Sequence, residues 1–289
     1  MKESTNKNTD TRLRKMGYRP PTSDREPEHL VLVEYVSGGR VAVITLNRPH
    51  ADNAVTTEME EQLIEVLETI AACVSVHVAI LTGAGDRAFC VGGDMYERKD
   101  MTKEQWLRQR QVINRLFYAI RQLRRPIIAA VHGMVYGGGC EMAISTDFII
   151  ASDDAVFCQP EAIAGLSAGA GAPVFLPRVL PPGRAMQMLM TGDPLSAQEA
   201  YGLGMVNELH PRAELMGAVL KIAERIADNS PTAVQAVKRA VKMGQGETVE
   251  QAVEIMLDEH WRSVVHPDRI EGGRAFVEGR EPTFPDPDF

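Results

Sequence analysis

The chain reads as an α/β protein with a helical C-terminal region, and three observations carry that reading. Short aliphatic and β-branched runs of strand length, bounded by glycine turns, recur through the first two thirds. Helical stretches with one apolar face alternate with them, so that strand, strand and helix cycle roughly every 50 residues. From about Pro181 onward helix signals dominate.

Residues 1–28 are polar and broken by Pro20, Pro21 and Pro27, the composition of a flexible tail or a wrapping arm. Leu30 to Tyr35 and Val41 to Leu46 read as strands joined by the turn Ser37-Gly38-Gly39. Thr57 with Glu60 reads as a capping box. Behind it Met59, Leu63, Val66, Leu67 and Ile70 recur at helical spacing. Val78 to Thr82 is a further strand, leading into Gly83-Ala84-Gly85-Asp86. A second helix starts at Thr102 with Gln105 as its capping partner, and its apolar positions include Trp106, Val112, Leu116, Phe117 and Ile120. Ile127 to Val131 is a strand, Gly138 opens a helix, and Phe148 to Ala151 and Ala155 to Cys158 are two short strands. Ser196 with Glu199 forms another capping box, and Ser230-Pro231 is a helix start with proline at its first position. The expected organisation is a tail over 1–28, a core domain over 29–200 and a helical region over 201–289.

Composition narrows the function. A net charge of −8 argues against nucleic acid or an anionic membrane surface as the main partner, so an anionic ligand must be held by local donors. The four cysteines, Cys73, Cys90, Cys140 and Cys158, have no C-x-x-C spacing and no histidine cluster beside them. They are expected to be small buried thiols in a reducing compartment, with no metal site. No apolar run reaches the ~20 residues of a membrane span, and the N-terminus has no secretory core.

Three segments carry chemistry: Ala88-Phe89-Cys90-Val91-Gly92-Gly93-Asp94, Tyr136-Gly137-Gly138-Gly139-Cys140-Glu141, and Phe157-Cys158-Gln159-Pro160-Glu161. Glycines at a helix start leave backbone N–H groups open to an oxygen ligand. Glu141 lies one helical turn past Gly138, on the same side as such an oxygen. Glu161 is a second carboxylate, its backbone fixed by Pro160. Oxyanion donors beside two carboxylates suggest general acid/base chemistry. Gly165-Leu166-Ser167-Ala168-Gly169-Ala170-Gly171 is not a dinucleotide loop, because no suitable strand precedes it and no acidic residue follows at the required distance.

Together with Asn47-Arg48-Pro49 and Asn53-Ala54, these segments resemble the enoyl-CoA hydratase/isomerase (crotonase) superfamily, most of all its two-glutamate enoyl-CoA hydratases, from about Leu30 to Phe284. The resemblance implies a spiral of ββα turns with a C-terminal helical region that packs at a trimer interface, giving a homotrimer or a dimer of trimers. It implies Glu141 and Glu161 as catalytic residues and the Gly93 and Gly138 amides as the oxyanion hole. Ala51, Val91, Asp94, Met95, Tyr136, Gly169 and Phe276 would line the path of coenzyme A and substrate, Phe276 from a neighbouring subunit. The implied reaction is reversible syn addition of water to a 2-enoyl-CoA in the cytoplasm. Coenzyme A belongs to the substrate and no further cofactor is implied. An isomerase or another crotonase-type lyase or hydrolase is the alternative, and a non-catalytic RNA-binding relative fits the net acidity poorly. The chain departs from the family at Ala168, Ala172, Pro173, Val174 and Phe175, where an altered acyl pocket is expected. It also departs at His50-Ala51-Asp52 and at Gly279, where a basic residue is usual, with Arg280 as a substitute.

Overall fold

The computed structural model describes residues 12, 14–17, 19–22 and 26–284. In chain order the strands are β1 (Val31–Val36), β2 (Val41–Leu46), β3 (Val78–Gly83), β4 (Ala88–Cys90), β5 (Ile127–Val131), β6 (Met134–Tyr136), β7 (Phe148–Ser152), β8 (Val156–Cys158), β9 (Leu195–Ser196) and β10 (Glu208–His210). The helices begin with α1 (Thr57–Ala72), α2 (Met95–Arg98), α3 (Lys103–Gln122) and α4 (Gly138–Ser145). Then come α5 (Ala172–Val179), α6 (Pro182–Thr191), α7 (Ala197–Gly202), α8 (Leu215–Ala227), α9 (Pro231–Gly244), α10 (Val249–Val264) and α11 (Pro267–Glu278).

Six strands form one sheet in the order β1-β2-β3-β5-β7-β10. The β1–β2 hairpin is antiparallel, and every later neighbour pair in that sheet is parallel. The near-continuous apolar runs of β3 and β5 are what a strand covered on both faces requires. Successive side chains point to opposite faces, which splits each strand between two cores. Ala42, Ile44, Ala79, Leu81 and Ala129 face α1 and α3. Val41, Val43, Val78, Ile80 and Ile128 face Leu215, Val219 and Ala223 of α8.

A second sheet, in the order β4-β6-β8-β9, is made of strands of two or three residues. Each of its first three strands follows a strand of the large sheet, so the chain winds through strand, strand and helix as the sequence predicts. β4, β6 and β8 run parallel, with Cys90 opposite Val135 and Tyr136 opposite Cys158. Their C-terminal ends therefore lie side by side, and the three loops that leave them emerge together. That edge is where ligands collect in open parallel sheets.

Two sequence expectations need correction. The cap of α1 is Thr56, whose hydroxyl accepts from Met59 N, and not Thr57 with Glu60. Thr57 N donates instead to the Glu97 carboxylate. The core also continues past residue 200: β10 pairs with β7, and α8 covers the large sheet. The packing changes only after α8, where α9, α10 and α11 carry eleven of the twenty-five exposed large apolar residues among the described residues. The capping boxes expected at Thr102 and Ser196 are both formed.

The described part of the N-terminal segment lies against the body. Thr22 N donates to His50 O (2.9 Å), and Tyr136 Oη donates to Met16 O (3.0 Å). Residues 1–11, 13, 18 and 23–25 of the expected tail lie outside the described residues.

Candidate active site

The three loops are fastened from below by the Asn47–Ala54 segment. Asn53 Nδ2 donates to Ala84 O (2.9 Å), Ala88 O (2.9 Å) and Phe89 O (3.1 Å), pinning β4. Arg48, only 3% exposed, pairs with Asp94 at 3.1 Å and reaches Ala54 O and Glu26. A buried guanidinium of this kind holds position through its multiple donors.

Two amides then stand open. Val55 N donates to Gly92 O (2.8 Å) and Asp94 N to Val55 O (2.9 Å), the two bonds of a parallel bridge centred on Gly93. Pairing by residues 92 and 94 turns the N–H of Gly93 to the opposite side. Gly138 is the first residue of α4, so its N–H has no intrahelical acceptor. Among the described residues neither amide has a hydrogen-bond acceptor. They are close together: a Cβ built on Gly138 would lie 3.8 Å from Gly93 N. Gly92, at φ +88, leaves room for this approach, since a Cβ there would come within 2.8 Å of Gly138 N.

The two carboxylates flank these amides. Glu141, 3% exposed, accepts at Oε1 from Ala170 N (2.8 Å) and Ala172 N (2.9 Å). Burial pushes its carboxyl above the ordinary 4.5, and those two amides partly oppose the rise. Glu161 follows β8 and stands over Gly137, where a Cβ would meet Glu161 Oε1 at 2.8 Å. Gly137 N donates to Cys158 O (2.8 Å), which locks this loop to the next. Glu161 Oε2 is buried without a partner among the described residues. Burial, reinforced by the charge of Glu141, pushes Glu161 up to about 7. One carboxylate is thus anchored by amides and the other is free to carry a proton near neutrality.

All four groups line one cleft of about 160 Å³, together with Val91, Met95, Tyr136 and Gly169. Ala51 and Asp94 are not on its wall. Ala51 packs beneath Tyr136 and Val91, and the Asp94 carboxylate caps α2 by accepting from Tyr96 N (2.7 Å). Phe276 is 87% exposed on α11, away from the cleft of its own chain. The altered acyl pocket expected from residues 168–175 does not lie where those substitutions are. None of Ala168, Ala172, Pro173, Val174 and Phe175 is on the wall, which is formed there by Leu166, Ser167, Gly169 and Ala170. Pro173 and Val174 face solvent, and Phe175 lies under the guanidinium groups of Arg121 and Arg178. Sequence reasoning missed Glu60, Arg98 and Arg110, which also line the cleft. Glu60 had a signal, because it shares the face of α1 that buries Met59, Leu63 and Ile64. Among the described residues no group of His, Cys, Asp and Glu side chains is placed to hold a metal.

Two open amides beside two buried carboxylates, at the ends of parallel strands, define a class of protein that polarises a carbonyl and moves protons next to it. The chain belongs to the enoyl-CoA hydratase/isomerase family, whose profile matches residues 37–287. It is 35% identical to the short-chain-enoyl-CoA hydratase of Clostridium acetobutylicum over 243 residues, 84% of this chain and 93% of the relative. It is also 35% identical to the crotonyl-CoA hydratase of Syntrophomonas wolfei over 248 residues, 85% of this chain and 94% of the relative. The crystal structure of an enoyl-CoA hydratase from Bacillus anthracis superposes with a TM-score of 0.86 at 34% identity, covering 89% of this chain and 99% of that one.

Proposed function

We propose that the protein is a hydro-lyase that adds water reversibly to a 2-enoyl-CoA thioester. The observation that carries this reading is the pairing of Glu141 with Glu161 across the open Gly93 and Gly138 amides. The thioester oxygen accepts from both amides, which stabilise the enolate that forms when C3 is attacked. Glu141 takes a proton from water as its oxygen bonds to C3. Glu161, protonated near neutrality, delivers its proton to C2. Each carboxyl changes state once per addition; after product leaves, Glu141 gives its proton to solvent and Glu161 takes one up, which restores both for the next turnover. Losing one oxyanion donor in such a site costs about 3 kcal/mol of barrier.

The site is proposed to work in a homo-oligomer of three or six copies. Val249, Trp261 and Phe276 are 75%, 64% and 87% exposed, and an apolar surface of this extent calls for a covering partner. Four unbonded cysteines, three of them buried, suit a reducing compartment, which is the ground for assigning the protein to the cytoplasm. The test is direct: purified protein is mixed with crotonyl-CoA, loss of the conjugated thioester absorbance is followed, and 3-hydroxybutyryl-CoA is identified as product. Absence of turnover on crotonyl-CoA and on longer, branched and aromatic 2-enoyl-CoAs would overturn the reading.

A further inference from the structure

We propose that the acyl end of the cleft is built for an acyl group that carries a carboxylate. The inference rests on reading the cleft as an acyl-thioester site.

The cleft has two ends. Tyr136 and Val91 belong to a small apolar cluster with Ala51 and Ala54, and Met16 packs against it. At the other end Ile113, Leu116 and Phe117 of α3 open into the main core. Arg98, from the end of α2, lines the cleft against Gly93, and Arg110 of α3 lines it against Gly169.

Neither arginine is satisfied by a close carboxylate. The Arg98 side chain is 15% exposed, lies over the Trp106 ring at 5.2 Å, and donates from Nε to Gln109 Oε1 at 2.8 Å. It faces Glu60 at 3.9 Å, and Glu161 also lies within its field. Burial pushes Glu60 up to about 8, so that side chain is largely neutral at pH 7 and does not cancel the guanidinium. Glu97 is turned away, accepting from Thr57 N and Gln109 Nε2. Arg110 is half-buried, and its hydrogen bond among the described residues goes to Gly169 O, one donor of the five that a guanidinium offers. Glu141 lies in its field but is bonded to the Ala170 and Ala172 amides.

Two fixed cations in a mostly apolar wall are costly for a plain hydrocarbon chain, which must desolvate them without giving a partner. An acyl carboxylate supplies the partner, and guanidinium groups take carboxylates through paired, charge-assisted bonds. Charged hydrogen bonds of this kind are worth roughly a 10- to 100-fold change in binding.

The test compares matched thioesters that share the same coenzyme A, so the nucleotide phosphates cancel. Glutaryl-CoA and pentanoyl-CoA, saturated and of equal chain length, are titrated calorimetrically into the full chain. Glutaconyl-CoA and 2-pentenoyl-CoA form the kinetic pair. Glutaryl-CoA should bind at least ~10-fold more tightly than pentanoyl-CoA. That ratio should fall toward one in Arg110→Gln and in Arg98→Gln, and Arg110→Lys should keep part of it. Circular dichroism accompanies both glutamine variants, because Arg98 packs on Gly93, and Arg110→Gln decides the matter should Arg98→Gln misfold. Equal affinities, a preference for pentanoyl-CoA, or a ratio unmoved by the variants overturns the proposal. A binding ratio that persists with no hydration of either unsaturated thioester overturns the hydratase reading alone. Hydration of 2-pentenoyl-CoA without a charge preference overturns this proposal alone.

Discussion

Replacing Glu161 by glutamine should make the protein more stable at alkaline pH while nearly abolishing its activity. Burial holds the Glu161 carboxyl at about 7, against an ordinary 4.5. A group that binds its proton more tightly when folded than when unfolded makes stability fall as pH rises between those two values. The loss begins near 4.5 and is complete above about 7. At ~1.4 kcal/mol per pH unit it amounts to roughly 3 kcal/mol. Glutamine has no charge to desolvate, so the variant escapes this loss, and it also relieves Glu141 of a like charge. With an unfolding entropy of ~2.1 cal/mol/K per residue, the melting temperature of the variant relative to wild type should rise by ~5 °C between about pH 5 and pH 8. The comparison cancels Glu60, which titrates in both proteins. Hydration should fall at least ~100-fold in the variant, the scale of lost acid/base help. In wild type, kcat/KM for hydration should decline as pH passes about 7, where Glu161 loses the proton it must donate. Scanning calorimetry across this pH range, with initial rates on crotonyl-CoA, tests both halves. A melting difference that stays flat with pH refutes the buried carboxylate, and a near wild-type rate refutes its role as proton donor.

Glu141→Gln should lower turnover at least ~100-fold while calorimetry still detects a saturated acyl-CoA, because the open amides remain in place. Gly92→Ala should lose activity and roughly 1–3 kcal/mol of stability, since residue 92 sits at positive φ and the new methyl would press on Gly138 N. A Gly92→Ala protein with the wild-type rate and melting temperature would remove the argument that these two backbones must touch. Light scattering should report three or six copies, and a fully active monomer would leave the apolar faces of α9 to α11 unexplained.

The site was legible in the sequence to the extent that its chemistry needs particular residue types. Glycines that bare an amide and carboxylates one turn or one proline away leave a pattern in a single segment, as at Gly138 with Glu141 and at Pro160 with Glu161. Elements fixed by distant contacts left no such pattern. β10 is three residues, Glu-Leu-His, and exists because β7 offers it an edge. The pattern Thr57-x-x-Glu60 matches a cap, yet the neighbouring Thr56 takes that place, with Glu97 drawn to Thr57 N and Glu60 buried toward the cleft. Arg98 and Arg110 lie on different helices, and only tertiary packing sets one against Gly93 and the other against Gly169. The five substitutions at 168–175 misled because departure from a family pattern marks a change in sequence without saying which way the side chain points.

Around the reaction centre, several glycines are spaces already occupied by another residue, and the occupant differs each time. The missing side chain of Gly137 is filled by the Glu161 carboxylate, that of Gly93 by the Arg98 guanidinium, and that of Gly139 by the Cys90 carbonyl. The genetics of the site should divide accordingly. An alanine at 93 meets the tip of a long side chain, so shortening Arg98 is a plausible second-site suppressor. An alanine at 137 meets Glu161, the proposed proton donor, and on that proposal any change that restores the fold by removing this carboxyl forfeits the reaction. An alanine at 139 meets backbone, which no substitution can shorten, so its revertants should be limited to glycine.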